Sequence, residues 1–376
     1  MKKVLFTATV VKTHIMQFHI PYLKMLKEMG YETFVAARND YEDPAECIIP
    51  WCDHYIDIPF ERNPLKPTNR KALKQLKELI DREHFNLIHT HTPVGAMLTR
   101  IAARDARKHG TTVIYTAHGL HFYKGAPALN WLAYWPVEKH LSKDTDVLIT
   151  INKEDYEFAR THMDAKETFY VPGVGIDTQY LRFSMDSRNR VREELGMQDD
   201  FVLLSIGELI KRKNHRTALE AIAKLKNDEI YMHLQYLICG SGVLLEELKE
   251  YCRTLGIEDK VHFLGYRHDI PELCSAADLF VFMSLQEGLP VAPMEAMSCS
   301  LPVVCTAIRG NIDLVEDGVN GLLIANDPDE LARRIKELYS TPQIRITMGQ
   351  KSRLKALDYD QTKILEQVRE IYLRHQ

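Results

Sequence analysis

The sequence lacks a regular arrangement of cysteines. Its seven cysteines are scattered and odd in number, and no two of them form a C-x-x-C motif. A disulfide framework or a structural zinc site needs cysteines at short or regular spacings, so this distribution argues against both. We expect reduced, structural thiols in a cytoplasmic protein. Internal repeats and low-complexity segments are also absent.

Long apolar runs and a large excess of one charge are missing as well. The longest apolar stretches have the length of a strand, whereas a membrane helix needs about 20 apolar residues. A signal peptide is not expected, because Thr7, Thr9 and Lys12 interrupt the apolar run after Met1–Phe6. The net charge of −4 gives no indication of nucleic-acid binding.

What the sequence does contain is a regular alternation of short β-rich runs and helical patterns. The predicted strands are Lys3–Thr9, Glu32–Ala36, Leu87–His89, Thr112–Thr116, Asp146–Ile151, Phe201–Gly207, His233–Cys239, Val261–Leu264, Leu279–Met283, Pro302–Cys305 and Gly321–Ile324. This alternation is typical of βαβ units, whose parallel sheet carries helices on both faces. A single core rarely exceeds roughly 250–300 residues. The 376 residues therefore predict an α/β protein of two Rossmann-like, doubly wound domains facing each other across a deep cleft.

The domain boundary is predicted in the segment Val171–Asp177. It contains Pro172, Gly173 and Gly175, which interrupt regular structure and permit unusual backbone angles. A strand-like run precedes this segment and the βα pattern restarts after it. We therefore interpret it as a hinge between residues 1–172 and 173–355.

Two glutamates separated by seven residues form the most informative motif. Glu287 lies in the loop Glu287–Pro290 after an apolar run, and Glu295 lies about two turns further, in the helix that the loop opens. The unpaired N–H groups at a helix start bind anions, and a carboxylate within that helix can accept hydrogen bonds from a ribose. The motif thus predicts a sugar-nucleotide site, although the spacing alone is also that of two solvated surface acids.

Three further loops follow strands of the second half. Ile206–Asn214 carries the basic run Lys211–Lys213 before a helix, which suits a diphosphate as well as an ordinary solvated turn. Cys239–Gly242 contains two glycines that would permit close approach of a ligand, and Phe263–Arg267 ends a strand where a nucleobase could lie.

The order and spacing of these segments resemble those of the family-4-type retaining glycosyltransferases, which have the two-domain B-type fold. The resemblance covers nearly the whole chain and is strongest over Phe201–Leu323. It implies transfer of a hexosyl or N-acetylhexosaminyl group from a nucleotide diphosphate donor, with UDP expected from its frequency in the family. It also implies that residues 1–172 bind the acceptor, that residues 173–355 bind the donor, and that residues 356–376 form a helix crossing back onto the first domain.

The resemblance assigns roles to matching residues. Lys213 would grip the diphosphate, Glu287 would face the donor sugar, and His118 in Thr116–Gly119 would lie near the reacting centre. The other donor-binding positions implied are Arg212, Gly240, Gly242, Gly265, Arg267, Gly288, Leu289 and Glu295. The first loop, Thr9–Phe18, lacks the glycines that relatives often have. We therefore expect it to serve the acceptor side, where His14, Phe18 and His91 are the candidates.

One departure concerns the donor site. The family usually has arginine where this chain has Glu208, five residues before Lys213, and an acid beside a diphosphate is electrostatically unfavourable. Either the Glu208 side chain points away, or the neighbouring Lys211 and Arg212 compensate, or the acid serves another role.

The histidines raise the question of a metal. His89-Thr90-His91 follows a predicted strand, and His118 and His121 offer further ligands. Binuclear metal hydrolases need additional carboxylates at later strand ends, and the second half has nucleotide-site features instead. We therefore expect no metal and no other cofactor.

A basic segment, Lys66–Lys77, has Leu73, Leu76 and Ile80 on one helical face. It is interpreted as an amphipathic helix with a solvated face, or as a peripheral contact with anionic lipid. The second interpretation would fit an acceptor that is a lipid-linked glycan at the inner face of the cell membrane, as in capsule or exopolysaccharide assembly.

Two other functions remain open at this point. A UDP-sugar 2-epimerase has the same architecture but consumes no acceptor, and a non-catalytic sugar-nucleotide-binding subunit would retain only the donor site. Release of free nucleotide during turnover separates the glycosyltransferase from both alternatives.

Overall fold

The computed structural model describes residues 1–375 and divides the chain into two domains. The N-terminal domain comprises Met1–Val174 and the chain from Thr362 onward, and the C-terminal domain comprises Gly175–Gln361. Each domain contains one parallel β-sheet with helices. This confirms the predicted pair of Rossmann-like α/β domains.

The N-terminal domain is built on a seven-stranded parallel sheet. Its strands are β1 (Lys2–Val10), β2 (Tyr31–Arg38), β3 (His54–Asp57), β4 (Leu87–His91), β5 (Thr112–Ala117), β6 (Val147–Thr150) and β7 (Glu167–Tyr170). Their order in the sheet is β3-β2-β1-β4-β5-β6-β7. The α-helices are α1 (Met16–Phe18), α2 (Ile20–Glu28), α3 (Thr68–Glu83), α4 (Pro93–Ala102), α5 (Arg104–Lys108), α6 (Ala128–Ser142), α7 (Lys153–His162) and the C-terminal helix (Gln361–Arg374).

Both faces of this sheet are covered, as a doubly wound fold requires. Val4 and Phe6 of β1 belong to a core that includes side chains of α2 and the C-terminal helix. Leu5, between them, belongs to a separate core formed with α3 and α4. Successive side chains of a strand point to opposite faces, so the continuous apolar run of β1 supplies both cores.

The C-terminal domain is built on a six-stranded parallel sheet. Its strands are β8 (Phe201–Ile206), β9 (Leu234–Cys239), β10 (Val261–Gly265), β11 (Leu279–Phe282), β12 (Val303–Thr306) and β13 (Gly321–Ile324). Their order is β10-β9-β8-β11-β12-β13. The α-helices are α8 (Met185–Leu195), α9 (His215–Lys224), α10 (Leu245–Leu255), α11 (Ile270–Ala276), α12 (Val291–Ser298), α13 (Asn311–Leu314), α14 (Pro328–Ser340) and α15 (Pro342–Ala356).

The domain boundary lies between Val174 and Gly175, two residues after the predicted position. Val174 packs against the core of the N-terminal domain, whereas Ile176 pairs with Asp360 inside the C-terminal domain. Gly173 and Gly175 both have φ in the left-handed region, at 78° and 73°. Residues with a Cβ atom rarely adopt these angles, which explains the two glycines.

The C-terminal helix begins at Gln361, five residues after the predicted start of that segment. Ile364, Val368, Ile371 and Tyr372 are buried on it and belong to the core of the N-terminal domain. Among residues 1–375, no helix combines the length and the apolar character needed to cross a membrane.

Candidate functional site

The loops that follow β8, β9 and β10 are tied together by backbone hydrogen bonds. The amide of Gly207 donates to the carbonyl of Cys239 at 2.9 Å, and the amide of Gly240 donates to the carbonyl of Gly265 at 2.8 Å. Three loops of the C-terminal domain are therefore held side by side at the carboxyl end of the sheet. This is the edge at which open α/β sheets bind ligands.

The glycines of the loop after β9 have a structural reason of their own. A Cβ atom on Gly240 would lie 2.0 Å from the carbonyl oxygen of Gly207, and one on Gly242 would lie 2.5 Å from that of Leu209. The sequence alone suggests that these two glycines permit a ligand to approach the backbone closely. In the structure, the backbone of the neighbouring loop fills that space, so these positions require glycine with or without a ligand.

Glu287 is the centre of a charged cluster. Its Oε1 atom accepts hydrogen bonds from Lys213 Nζ at 2.7 Å, Arg212 Nη1 at 2.9 Å and Ser284 Oγ at 2.6 Å. The side chain of Glu287 is only 8% exposed. All three contacts use one carboxylate oxygen, so the other oxygen has no partner in this cluster.

The position of Lys213 follows from the short 3₁₀ turn Lys211–Lys213 after β8. Its ammonium lies 4.8 Å from the centre of the Phe282 ring and is 14% exposed. Burial lowers the pKa of Lys213, while the neighbouring Glu287 carboxylate opposes that shift. The two cations and one carboxylate leave the cluster with one net positive charge.

The loop from Glu287 to the start of α12 packs against Arg309 and Gly310, which follow β12. The carbonyl of Glu287 accepts from Arg309 Nε at 3.1 Å, and a Cβ atom on Gly310 would lie 2.6 Å from the carbonyl oxygen of Gly288. Within residues 1–375, the amides of Gly288 and Leu289 donate no hydrogen bond. These N–H groups remain available to an anion, as the sequence predicts.

Glu295 on α12 is a carboxyl without a partner. It is partly buried, and it makes no hydrogen bond or ion pair with any residue between 1 and 375. Burial raises its pKa to about 7. A half-buried acid that no protein group satisfies is a candidate for ligand binding.

The two remaining sequence predictions in this domain have different surroundings. Arg267 donates from Nε to Asp269 Oδ1 at 2.7 Å, a partner that sequence reasoning missed. Glu208 is exposed, and its side chain forms no ion pair among residues 1–375. Lys213 and Arg212 pair with Glu287 instead. Of the alternatives considered for Glu208, an exposed side chain agrees with this arrangement, and its charge still acts to raise the pKa of Lys213 without forming an ion pair.

The N-terminal domain gathers four histidines. His91 ends β4, His118 follows β5, His14 lies in a π-helical turn (Val11–Ile15) after β1, and His19 joins α1 to α2. His91 Nδ1 and His118 Nε2 are 3.2 Å apart. The ring of Phe18 is 5.5 Å from that of His14. The predicted acceptor-side residues therefore do lie beside His118.

His19 is the member of this cluster that sequence reasoning missed. The predicted absence of a metal considered His89, His91, His118 and His121, but the structure assembles a different set, which contains neither His89 nor His121. His89 is a structural residue, because its Nδ1 meets the Tyr372 hydroxyl at 2.6 Å and its Nε2 meets Thr116 Oγ1 at 2.8 Å.

The four histidines are neutral at pH 7. Burial lowers the pKa of His118 to about 4. Burial, followed by repulsion from neighbouring rings, holds the pKa values of His14, His19 and His91 well below the ordinary range. A neutral imidazole keeps a lone pair, so each ring can accept a hydrogen bond or bind a metal.

Comparisons with known proteins agree with this geometry. Residues 22–180 match the family described as Glycosyltransferase Family 4, and residues 187–355 match Glycosyl transferases group 1. The chain is 41% identical over 375 residues to EpsD of Bacillus subtilis (strain 168), which is named as a glycosyltransferase. That alignment covers 99% of this chain and 96% of EpsD.

Two further relatives extend the comparison. The chain is 29% identical over 309 residues to the UDP-Gal:alpha-D-GlcNAc-diphosphoundecaprenol alpha-1,3-galactosyltransferase of Escherichia coli, covering 81% of this chain and 79% of that one. The crystal structure of Anabaena Alr3699/HepE in complex with UDP has the same fold, with a TM-score of 0.79 at 22% identity over 100% of both chains. The chain therefore belongs to the family-4-type glycosyltransferases with the B-type fold of two Rossmann-like domains.

Proposed function

We propose that this glycosyltransferase moves a hexosyl or N-acetylhexosaminyl group from a UDP-sugar to a hydroxyl of a lipid-linked glycan, with retention of the anomeric configuration. The observation that carries the donor half is the unpartnered, partly buried carboxyl of Glu295 on α12, the helix that follows the Glu287 loop. A ribose diol supplies the two hydroxyl donors that such a carboxylate lacks.

The charged cluster suits the leaving diphosphate. As the bond to the sugar breaks, negative charge grows on the diphosphate, and fixed positive groups stabilise it without a metal. Lys213 has three N–H donors and uses one on Glu287. The free amides of Gly288 and Leu289, followed by the N-terminus of α12, add further donors. The second oxygen of Glu287 is left for a hydroxyl of the donor sugar.

The N-terminal domain supplies the acceptor side in this proposal. The neutral ring of His118 can accept a hydrogen bond from a substrate hydroxyl or from a group that loses a proton during transfer. His14, Phe18 and His91 surround it. These contacts support a shared role, and the His118 variant described in the Discussion tests it.

Relatives support the choice of nucleotide and acceptor. The Anabaena structure contains UDP, and the Escherichia coli relative is named for a UDP-galactose donor and a diphosphoundecaprenol-linked acceptor. We extend both features to this chain and place its action at the cytoplasmic face of the membrane.

Helix α3 carries all but the first two residues of the basic segment Lys66–Lys77, which is proposed to contact anionic lipid. Lys74 and Lys77 already pair with Glu78 and Asp81, at 3.8 and 3.4 Å. Lys71 is exposed and has no such partner among residues 1–375. Lys71 therefore contributes an unneutralised charge to the proposed contact.

The deciding experiment is thermal unfolding of the purified protein with UDP, GDP, ADP or dTDP in EDTA. A ligand that binds only the folded state raises the unfolding temperature, by an amount that grows with the logarithm of the ligand concentration over its dissociation constant. We expect stabilisation by UDP and a smaller effect in Glu295→Gln. If no nucleotide stabilises the protein, the proposed donor site is wrong.

Turnover is tested next with the stabilising nucleotide. UDP-sugars are offered together with lipid-linked acceptors, free UDP is measured, and the anomeric configuration of the product is read from its proton NMR coupling constant. Release of UDP only when an acceptor is present, with a retained configuration, is expected. An inverted product would contradict the proposed mechanism.

A further inference from the structure

The four histidines of the N-terminal domain come together in a way that suits a metal ion. His14, His19, His91 and His118 each offer one ring nitrogen, and these four atoms lie within 4.8 Å of one another. They come from different segments of the chain, so the cluster exists only in the folded domain.

The spacing of the rings can be compared with a tetrahedral site. A Zn–N distance of about 2.0–2.1 Å puts neighbouring ligand nitrogens about 3.3 Å apart and ring centres about 5 Å apart. His91 Nδ1 and His118 Nε2 are 3.2 Å apart. Five of the six ring pairs have centre distances of 4.9, 5.1, 5.4, 5.6 and 6.1 Å. Only His19 and His91, stacked at 3.8 Å, must move apart.

The hydrogen bonding of the cluster is incomplete. His19 is fully buried, yet neither of its ring nitrogens has a partner among residues 1–375, and the same is true of His14 Nε2. The neighbouring His89, by contrast, has both ring nitrogens satisfied. Buried polar atoms without partners are rare in folded proteins. The unmet nitrogens therefore point to a ligand of the cluster.

The size of the cavity and the nitrogen donors of the cluster limit which ligand can bind. A cavity of about 10 Å³ is lined by His19, His91 and His118, together with His89, while His14 does not line it. The cluster contains no carboxylate. Neutral imidazole nitrogens suit zinc and related transition metals, whereas Mg²⁺ and Ca²⁺ prefer oxygen ligands.

We propose that His14, His19, His91 and His118 bind one divalent transition-metal ion, Zn²⁺, in the N-terminal domain. The ion occupies the lone pairs of the rings, so His118 can no longer accept a hydrogen bond from substrate. The site is therefore inhibitory, because zinc binding and sugar transfer exclude each other. This part of the inference rests on the proposed role of His118.

The test uses the full chain without a polyhistidine tag, stripped of metal with EDTA and then freed of EDTA. Zn²⁺ binding is measured by isothermal titration calorimetry, and Co²⁺ is added as a spectroscopic probe. We expect one Zn²⁺ per chain and the intense visible absorption of four-coordinate Co²⁺. His19→Ala and His19→Gln should weaken Zn²⁺ binding by at least about tenfold and abolish the Co²⁺ spectrum. His109→Ala, an exposed histidine outside the cluster, is the matched control and should bind Zn²⁺ like the unchanged protein.

Two results would overturn the proposed zinc site. The proposal is overturned if the unchanged protein binds no stoichiometric Zn²⁺, or if both His19 variants bind it as tightly as the His109→Ala control. Circular dichroism verifies that the variants are folded. Stabilisation by UDP in EDTA tests the donor site of the other domain, so a failure of the metal site leaves that result unaffected, and the reverse also holds.

Discussion

The two domains bury polar groups in opposite ways. In the C-terminal domain, the buried ammonium of Lys213 is paired with the Glu287 carboxylate, which also accepts from the more exposed Arg212. In the N-terminal domain, the histidines around His118 carry no opposite charge within the cluster, and burial keeps their rings neutral instead. Isolated buried charges are costly, so a protein either pairs them or gives up the charge.

The difference predicts what each cluster can do. A paired cluster with an excess positive charge is preorganised for an anion, so it should control nucleotide affinity. A neutral cluster with free lone pairs accepts protons, hydrogen bonds or a metal, so it should control turnover. Variants in the C-terminal cluster should therefore lower the affinity for UDP, whereas variants in the histidine cluster should lower turnover and leave that affinity unchanged.

The largest expected effect is that of His118→Ala. Loss of a positioned acid or base typically lowers kcat by about 10²–10⁴-fold, while the Kd for UDP should remain unchanged. The kcat is measured from turnover of the UDP-sugar and the Kd from titration with UDP, both in EDTA. The His109→Ala variant should leave both constants as they are. A weakened UDP affinity in His118→Ala would break the proposed division between the domains.

Lys213→Ala should come next in size. Removing one fixed donor to developing negative charge costs about 10²–10³-fold in kcat, and UDP affinity should fall as well. Lys211→Ala removes an exposed lysine of the same turn and serves as the control, with constants close to those of the unchanged enzyme. If Lys213→Ala and Lys211→Ala bind UDP with equal affinity, Lys213 does not bind the diphosphate.

A smaller effect is expected from pH through Glu295. Its pKa of about 7 means that the carboxylate which accepts from ribose is mostly protonated at pH 6 and mostly ionised at pH 8. The affinity for UDP-glucose, whose diphosphate does not titrate in this range, should therefore fall by about tenfold from pH 8 to pH 6. Calorimetric titration at both pH values measures it. Glu295→Gln should bind more weakly and show a flat profile, and a steep profile in that variant would assign the pH dependence to another group.

The raised pKa of Glu295 also determines how the free energy of unfolding changes with pH. Because the pKa of Glu295 is raised above its unfolded value, the folded protein binds more protons between pH 4.5 and 7. Its contribution to the free energy of unfolding therefore decreases as the pH rises through this window, and the cost is full above pH 7. Without nucleotide, Glu295→Gln should thus be more stable than the unchanged protein at pH 8, by up to about 3 kcal/mol.

The smallest effect in the series belongs to Lys71→Gln on α3. A lysine near an anionic membrane contributes about 1 kcal/mol, so binding to phosphatidylserine-containing vesicles should weaken roughly fivefold. Lys351→Gln, which neutralises an exposed lysine of the C-terminal domain, is the matched control. Sedimentation with vesicles compares the two variants, and equal binding would reject α3 as the contact.

Most of the fold could be predicted because its strands are buried on both faces. β1 contains the apolar run Val4–Phe6, and β8 is apolar except for Ser205. Their predicted bounds differ from the structure by one residue at each end or less. β3 was missed and β7 was noted only as a strand-like run before the predicted boundary; both strands lie at the edges of the sheet. Their residues are largely exposed or half-buried, so neither strand has an apolar run or a clear alternation.

The candidate site was predicted only in part. The loop Glu287–Pro290 and the basic turn Lys211–Lys213 could be recognised from their position after strands. The hydrogen bond from Lys213 to Glu287 joins residues 74 positions apart, and no local pattern indicates it. His19 had no signal at all, because its importance depends on the rings that surround it.

The sequence by itself determined the alternation of strands and helices, the number of domains and the segments that carry the chemistry. These properties depend on local spacing and on the side-chain period of each element, which the chain order contains. Only the tertiary structure decided which charges are paired, which acid remains free and which histidines meet. Burial and partner distance set those properties, and both arise when segments far apart in the chain are brought to the same edge of a sheet.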